Sequence, residues 1–386
     1  MDGDVMGGVE TLRTGPPQAA RLSAARLADA GRLIERAIAD GVFPGAVALV
    51  ARGGVVAWQE PFGHAQVTPV MRRMETDTIF DLASLTKVIA TLPVALRLWQ
   101  GDVIDLDAPA REYVPEFGGE GRDAVTLRHL LAHTSGLPAW IMLYLRAHTR
   151  AQMLEEICRT PLAHAPGDTV EYSDLGILLL GFVLERATGR RIDALVIEHV
   201  CGMVGLDDAA FNPPPAARAR CAATEAGNEY EREKAGDAGV GFPWRTHVLV
   251  GEVHDGNAYY GMEGVAPHAG FFAAAADVAA VAHQWLRPGA YLPPAAIAEA
   301  LLDQRESARE YPRGLGWVLH HPEAFFRALG PRSFGHTGFT GTSVAVDPDE
   351  DLVVVLLTNR VHPHAGDTRI QEFRMTFHEA VMEALR

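Results

Sequence analysis

Ser84 and Lys87 stand three residues apart in Ile79-Phe80-Asp81-Leu82-Ala83-Ser84-Leu85-Thr86-Lys87-Val88-Ile89, at the head of an apolar run. At that spacing two side chains can share one face of a helix's first turn. The lysine amine then lies within reach of the serine hydroxyl, the arrangement an activated nucleophile requires. The helix N-terminus adds unpaired N–H groups and the positive end of its dipole, both suited to a developing oxyanion. Serine and lysine are common residues, so the pair gains meaning only from companions elsewhere in the chain.

Two later stretches supply companions. Tyr172-Ser173-Asp174 comes immediately before the apolar run 175–184, which reads as a buried helix. Phe334-Gly335-His336-Thr337-Gly338-Phe339 lies on a late strand. Other groups read more plainly. His129 and His133 sit at i and i+4, but with no glutamate between them and no third ligand they read as packing or turn-capping residues. Cys158 falls on an amphipathic helix and reads as core. Trp140, Trp244, Tyr259 and Tyr260 could wall an acyl pocket or pack loops onto the domain. A buried tyrosine such as Tyr172 commonly does no more than donate one hydrogen bond. The chain has no Gly-x-Ser-x-Gly elbow, which disfavours the α/β-hydrolase fold.

The elements that must position these groups follow from periodicity. Residues 1–20 read as a loose N-terminal arm rich in Gly and Pro. Leu27, Ala30, Leu33, Ile34, Ala37 and Ile38 recur at helical spacing, with Gly41 as the stop. Strands at 46–50 and 55–58 flank a Gly53-Gly54 turn and predict a hairpin. The Ser84 helix follows, kinks at Pro93 and ends before Gly101. From 103 to 286 the pattern is mainly helical, with long loops at 212–215 and 225–256 of the kind that form binding walls or lids. Strands return at 314–319, 333–338, 343–346 and 352–358, the last read as buried on both faces. An amphipathic helix carrying Ile370, Phe373, Phe377, Ala380, Val381 and Ala384 closes the chain. The predicted fold is α+β: an antiparallel sheet with terminal helices from 21–102 and 287–386, an all-α domain from 103–286, and the active site in the cleft between them.

Composition sets outer bounds. A chain of 386 residues, 48% apolar and 22% charged, can bury a large core. Its formal charge of −15 disfavours a nucleic-acid binder and an anionic membrane surface. Cys158, Cys201 and Cys221 have no metal-ligand spacing and fit buried thiols in a reducing compartment. Residues 1–6 show neither a basic n-region nor an apolar h-region, and no run is long enough for a membrane span, so a cytoplasmic location is expected. Oligomeric state is not legible.

Ser84-x-x-Lys87, Tyr172-x-Asp174 and His336-Thr337-Gly338, in this order and spacing, resemble the three motifs of the penicillin-recognising serine hydrolases. That superfamily holds class C β-lactamases, serine D,D-peptidases, D-aminopeptidases and related carboxylesterases. The resemblance runs from about residue 44 to residue 360 and includes Leu130-Leu131-Ala132-His133-Thr134-Ser135-Gly136 and Gly314-Leu315-Gly316-Trp317. It implies a β-lactamase/transpeptidase-like fold and a cofactor-free, metal-free serine hydrolase working through an acyl-enzyme. It further implies Ser84 as nucleophile, Lys87 and Tyr172 as its proton partners, and the backbone N–H groups of Ser84 and Phe339 as oxyanion hole. Asp174, His336, Thr337 and Gly338 would contact substrate.

Two departures bear on mechanism. Asp174 replaces the usual asparagine, and an ionised carboxylate can only accept hydrogen bonds. Beside Lys87 it favours the ammonium, which shifts base work toward Tyr172 and asks the substrate for a donor. His336 replaces the lysine characteristic of class C β-lactamases, and imidazole is charged only below about pH 6.5. An efficient β-lactamase is therefore disfavoured. The segments 251–258 and 264–270, which carry His254, Asp255 and His268, resemble a branch associated with muropeptide breakdown; a loop-borne metal set there has no support in the resemblance. Small carboxylic esters or amides are the first expected substrates, and a muropeptide or D-amino-acid amidase or peptidase is the alternative. A penicillin-binding module without turnover is the non-enzymatic reading, which intact Ser84, Lys87 and Tyr172 disfavour.

Overall fold

The apolar run Leu352–Thr358 is a strand buried on both faces, and the sheet is built around it. The structure, a computed structural model, describes residues 9–289, 291–305 and 311–385. Leu352–Thr358 pairs antiparallel with Gly45–Arg52 from the start of the chain, from Leu352 opposite Arg52 to Thr358 opposite Ala46, and with Ser343–Asp347 on its other edge. Across the sheet the order is Arg13–Thr14, Val55–Gln66, Gly45–Arg52, Leu352–Thr358, Ser343–Asp347, Phe334–Thr337 and Val318–Leu319, with Arg72–Arg73 pairing off Val55–Gln66. Gly53 and Gly54 turn the first hairpin with φ of 58° and 73°, a conformation that costs glycine little.

Period-two alternation divides the core in two. Ala46, Ala48, Val50, Leu352, Val354 and Leu356 face the terminal helices Ala24–Ala39 and Ile370–Glu383, where Ile34, Phe377 and Val381 are buried. Val47, Leu49, Val353, Val355 and Leu357 face the other way and merge with the core beneath the helices of 103–286. Among those helices Asp174–Thr188 is buried over Leu175–Leu184, as its apolar run requires.

Several expectations need correction. The arm expected at 1–20 is docked over its second half: Arg13–Thr14 pairs in parallel with Val55–Val56, while residues 1–8 lie outside the described residues. The strand expected at 314–319 is reduced to Val318–Leu319, because Gly316 has φ of 75° and breaks the extension. Short strands, Ala210–Phe211, Ala223–Ala226, Val248–Val250 and Phe271–Ala273, run among the helices of 103–286. Phe271–Ala273 pairs with Phe80–Asp81, tying that region to the residues just before Ser84. Helix Ala275–Gln284 lies on the sheet, so packing against it resumes before residue 287. The segment after Asp81 is also no regular helix: a 3-10 turn Ala83–Leu85 and a π turn Lys87–Thr91 precede the α-helix Leu92–Gln100. Pro93 sits in the first turn of that α-helix, where its missing N–H costs little.

Candidate active site

The nucleophile turn is held from three sides. Ala83 takes φ of 46°, unusual for a residue with a Cβ, and its N–H donates to Asp81 Oδ1 at 2.9 Å. The other oxygen of Asp81, a buried side chain, accepts the N–H of His254 at 2.7 Å. The Thr340 and Thr342 hydroxyls donate to the carbonyls of Asp81 and Leu82 at 2.7 and 2.9 Å, so the turn after His336-Thr337-Gly338 is fastened directly to the turn carrying Ser84. Strain of this kind persists only where its surroundings fix it.

Lys87 Nζ donates to Ser84 Oγ at 3.0 Å and to the carbonyl of His268 at 3.0 Å. It lies 2.7 Å from Asp174 Oδ1, an ion pair in which the lysine side chain is 1% exposed. Burial pulls the ammonium down, but Asp174 and then Tyr172 more than offset it, and Lys87 ends above its usual range. Lysine is thus the charged form at rest. Asp174 opens helix Asp174–Thr188, whose N-cap Ser173 accepts from Gly176 N–H and donates to the carbonyl of Pro138. The Ser173 N–H donates to Nδ1 of buried His133 at 3.0 Å, so the 133–138 loop positions both Tyr172 and Asp174.

Tyr172 lies between these groups, its ring 4.9 Å from Lys87 Nζ, 4.5 Å from the His133 ring and 5.8 Å from the His336 ring. Its hydroxyl is buried with no aligned hydrogen-bond partner among the described residues. Burial raises it above the usual tyrosine value despite Lys87, so Tyr172 rests as a phenol, a proton donor. His336 gives its Nδ1 proton to the carbonyl of Thr337 at 2.8 Å, which leaves Nε2 as a buried, unpartnered acceptor. Burial and then the charge of Arg313 hold its imidazole well below the usual range, hence neutral.

These residues line one cavity of about 680 Å³, with Ala83, Ser84, Tyr172, Asp174, His336, Thr337, Gly338 and Phe339 in its wall. The sequence-predicted site residues are thereby brought together. Of the four aromatic candidates, Trp140 lines the cavity. Trp244 and Tyr260 instead cluster with Tyr144 and Phe242, and Tyr259 packs under Arg245. His129 caps the helix Leu127–Ala132 in a box with Thr126. The three cysteines are free, buried thiols.

Sequence reasoning missed several cavity residues. Glu231, pushed up to about 7 by burial and then by Asp255, accepts from Tyr144 Oη and Gly256 N. Arg374 reaches from the last helix to donate to the carbonyls of Gly338 and Thr342 at 3.2 and 2.9 Å. Arg313 lies directly before Gly314-Leu315-Gly316-Trp317, the one signal that could have drawn attention to it. Asp174, Asp255 and His268 offer ligand atoms within 4.8 Å of one another. Lys87 already places a cation against Asp174, and Asp255 already accepts His268 Nε2 at 3.0 Å.

A mixed sheet-and-helix fold with a Ser–Lys pair at the head of a helical segment is that of the β-lactamase/transpeptidase-like serine hydrolases, and the chain belongs to the Beta-lactamase family, whose model matches residues 30–375. It is 32% identical over 373 residues to the N-acetylmuramyl-L-alanine amidase of Bacillus subtilis (strain 168), covering 89% of this chain and 83% of that one. It is 30% identical to a putative D-alanyl-D-alanine carboxypeptidase of Escherichia coli (strain K12), covering 92% and 87%. The fold is shared with EstCE1, a hydrolase with promiscuous acyltransferase activity (TM-score 0.73, 21% identity, 92% and 99% covered). It is shared equally with a class C β-lactamase from Rhodobacter sphaeroides (TM-score 0.71, 21% identity, 92% and 99% covered).

Proposed function

We propose that this serine hydrolase cleaves an amide bond in peptidoglycan fragments through an acyl-enzyme on Ser84. The observation that carries the reading is the 3.0 Å hydrogen bond from Lys87 to Ser84 Oγ, made in the wall of a cavity large enough for a muramyl-peptide unit. The two relatives named above as amidase and carboxypeptidase, at 32% and 30% identity, support amide substrates over esters.

Because Lys87 rests as an ammonium, attack begins from the tautomer in which Lys87 has given a proton to Asp174, 2.7 Å away. Ser84 Oγ then forms a bond to the carbonyl carbon as its proton passes to the Lys87 amine. The N–H groups of Ser84 and Phe339 receive the oxyanion, and removing one such donor typically costs about 3 kcal/mol of barrier. The C–N bond breaks as Tyr172 protonates the leaving nitrogen, and Lys87 restores the Tyr172 proton. Water cleaves the ester by the same steps in reverse. His336, Thr337 and Gly338 border the bound chain along the strand edge.

Small-ester hydrolysis is a second reading, favoured by the aromatic lining of Trp140, Tyr230 and Phe339, which suits an acyl chain. Release of amine from an N-acetylmuramyl-L-alanine amide and from D-alanyl-D-alanine peptides, measured beside p-nitrophenyl butyrate hydrolysis, separates the two. Amide cleavage at the higher kcat/KM is the expected result. Ester turnover with both amides intact would overturn the peptidoglycan reading and leave the serine hydrolase standing.

A further inference from the structure

Phe339 supplies the second N–H of the oxyanion hole in the mechanism above, yet its side chain in the cavity wall is 37% exposed, so burial alone does not fix it. Three neighbours do. The His254 ring stacks on it with 5.5 Å between centroids and 28° between planes, and the Tyr230 ring meets it at 5.1 Å. The Arg360 guanidinium lies 4.6 Å from its centroid, while Arg360 Nε donates to its carbonyl at 2.9 Å. Two of the three are tied to one carboxylate. Glu225, 1% exposed, places Oε2 2.9 Å from His254 Nε2 and accepts the Tyr230 N–H on Oε1 at 2.8 Å. Burial pulls the His254 imidazole down, but its hydrogen bond to Glu225 and then that carboxylate's charge more than offset it, so His254 ends above its usual value. His254 also gives its backbone N–H to Asp81, whose other oxygen holds the Ala83 N–H beside Ser84. One residue therefore touches the supports of both halves of the hole.

A buried carboxylate–imidazolium pair adds little net stability, because desolvating both groups offsets most of their attraction. What such a pair can do is fix geometry. An oxyanion donor must stand within about half an ångström of its productive position, and a displacement of about 1 Å can cost a hundredfold in rate. Neither Glu225 nor His254 takes part in the proton transfers among Ser84, Lys87 and Tyr172. We propose that Glu225 and His254 form a positioning dyad for the oxyanion hole: they clamp the Phe339 side chain and thereby hold its backbone N–H where negative charge develops. This rests on the hydrolase reading above and adds two positioning residues to it.

The test measures p-nitrophenyl butyrate kinetics and phenylboronic acid affinity for wild type, Glu225→Gln, His254→Gln, Phe339→Ala and the two doubles that add Phe339→Ala. Boron bonds to Ser84 Oγ and presents a boronate oxygen to the hole, so this affinity reports the donors directly. Rates are expressed per folded protein, from a urea titration of each variant. His254→Gln should lower kcat and weaken the boronate by roughly 10- to 100-fold, less than outright loss of a donor, and leave KM nearly unchanged. Glu225→Gln, which keeps an acceptor for the Tyr230 N–H, should act in the same direction by less. Where Phe339→Ala has removed the clamped ring, neither change should matter by more than about twofold. A merely structural role would cost the same in both backgrounds. Unchanged kcat in both single variants, losses confined to KM, or equal losses with and without the Phe339 ring would overturn the dyad while Ser84 chemistry stands. Should wild type neither turn over the ester nor bind the boronate, that failure belongs to the hydrolase reading, and nitrogen-15 labelling of phenylalanine decides the clamp. The Phe339 amide resonance, assigned by its loss in Phe339→Ala, should shift or broaden in Glu225→Gln, and an unmoved resonance refutes it.

Discussion

Lys87 governs when Ser84 can attack, and Asp174 governs Lys87. Burial lowers the lysine, and Asp174 followed by Tyr172 raises it past its usual value, so removing the carboxylate takes away the larger of the two raising influences. In Asp174→Asn the neutral amine should therefore appear at lower pH, and the ascending limb of kcat/KM against pH should move to lower pH. A pH–rate profile of both proteins checks this, and an unmoved limb would show that Asp174 does not set the base. The same change strands a lysine that is 1% exposed, and should cost about 3 kcal/mol in urea unfolding. At this scale the motifs were legible because their chemistry fixes residue type and spacing: Ser84, Lys87, Tyr172, Asp174 and His336 converge as motif members. The resting protonation was only half legible. Asp174 beside Lys87 pointed to an ammonium, but burial, which no short motif reports, also keeps Tyr172 a phenol. Arg374 went unread for the same reason, since an arginine in a sequence carries no mark of being buried.

Between residues and fold stands the contact between two turns. Gly338 packs so closely on the nucleophile turn that a Cβ there would fall inside the radii of the Leu82 carbonyl and Thr342 Oγ1. Gly338→Ala should push the two turns apart by about an ångström, enough to lower kcat about a hundredfold while costing about 1–3 kcal/mol of stability. Activity measured beside a urea titration distinguishes this from plain unfolding: a loss of activity no larger than the unfolded fraction would refute it. Strands of the sheet were legible where burial on both faces demanded unbroken apolar runs, as in Leu352–Thr358. The 3-10 and π turns around Ser84 were not, because Val88, Ile89 and Leu92 would be just as apolar in a regular helix. Tertiary bonds at Asp81, Thr340 and Thr342 select the irregular form.

Taken whole, the molecule separates chemistry from support by the two faces of one sheet. Phe377 is fully buried on the face covered by the terminal helices and packs near Trp58, across the sheet from Ser84. Phe377→Ala should cost about 3–5 kcal/mol and leave kcat of the folded protein unchanged, as a urea titration and active-site-normalised kinetics would show. A fall in kcat would mean that the helix transmits strain to the site through Arg374, one turn earlier on the same element. The division of the sheet between the chain's two ends was legible from strands at both termini. The docked Arg13–Thr14 strand was not, for a two-residue pairing leaves no periodic trace.

Acylation at Ser84 is the central claim, and the direct measurement is p-nitrophenyl butyrate hydrolysis by wild type and Ser84→Ala, with intact-mass analysis of quenched samples. Wild type should turn over and carry an acyl group that maps to the peptide containing Ser84. The variant should show no adduct, with turnover reduced by at least about a thousandfold. Equal turnover by the two proteins, or an adduct that survives in Ser84→Ala, would contradict it.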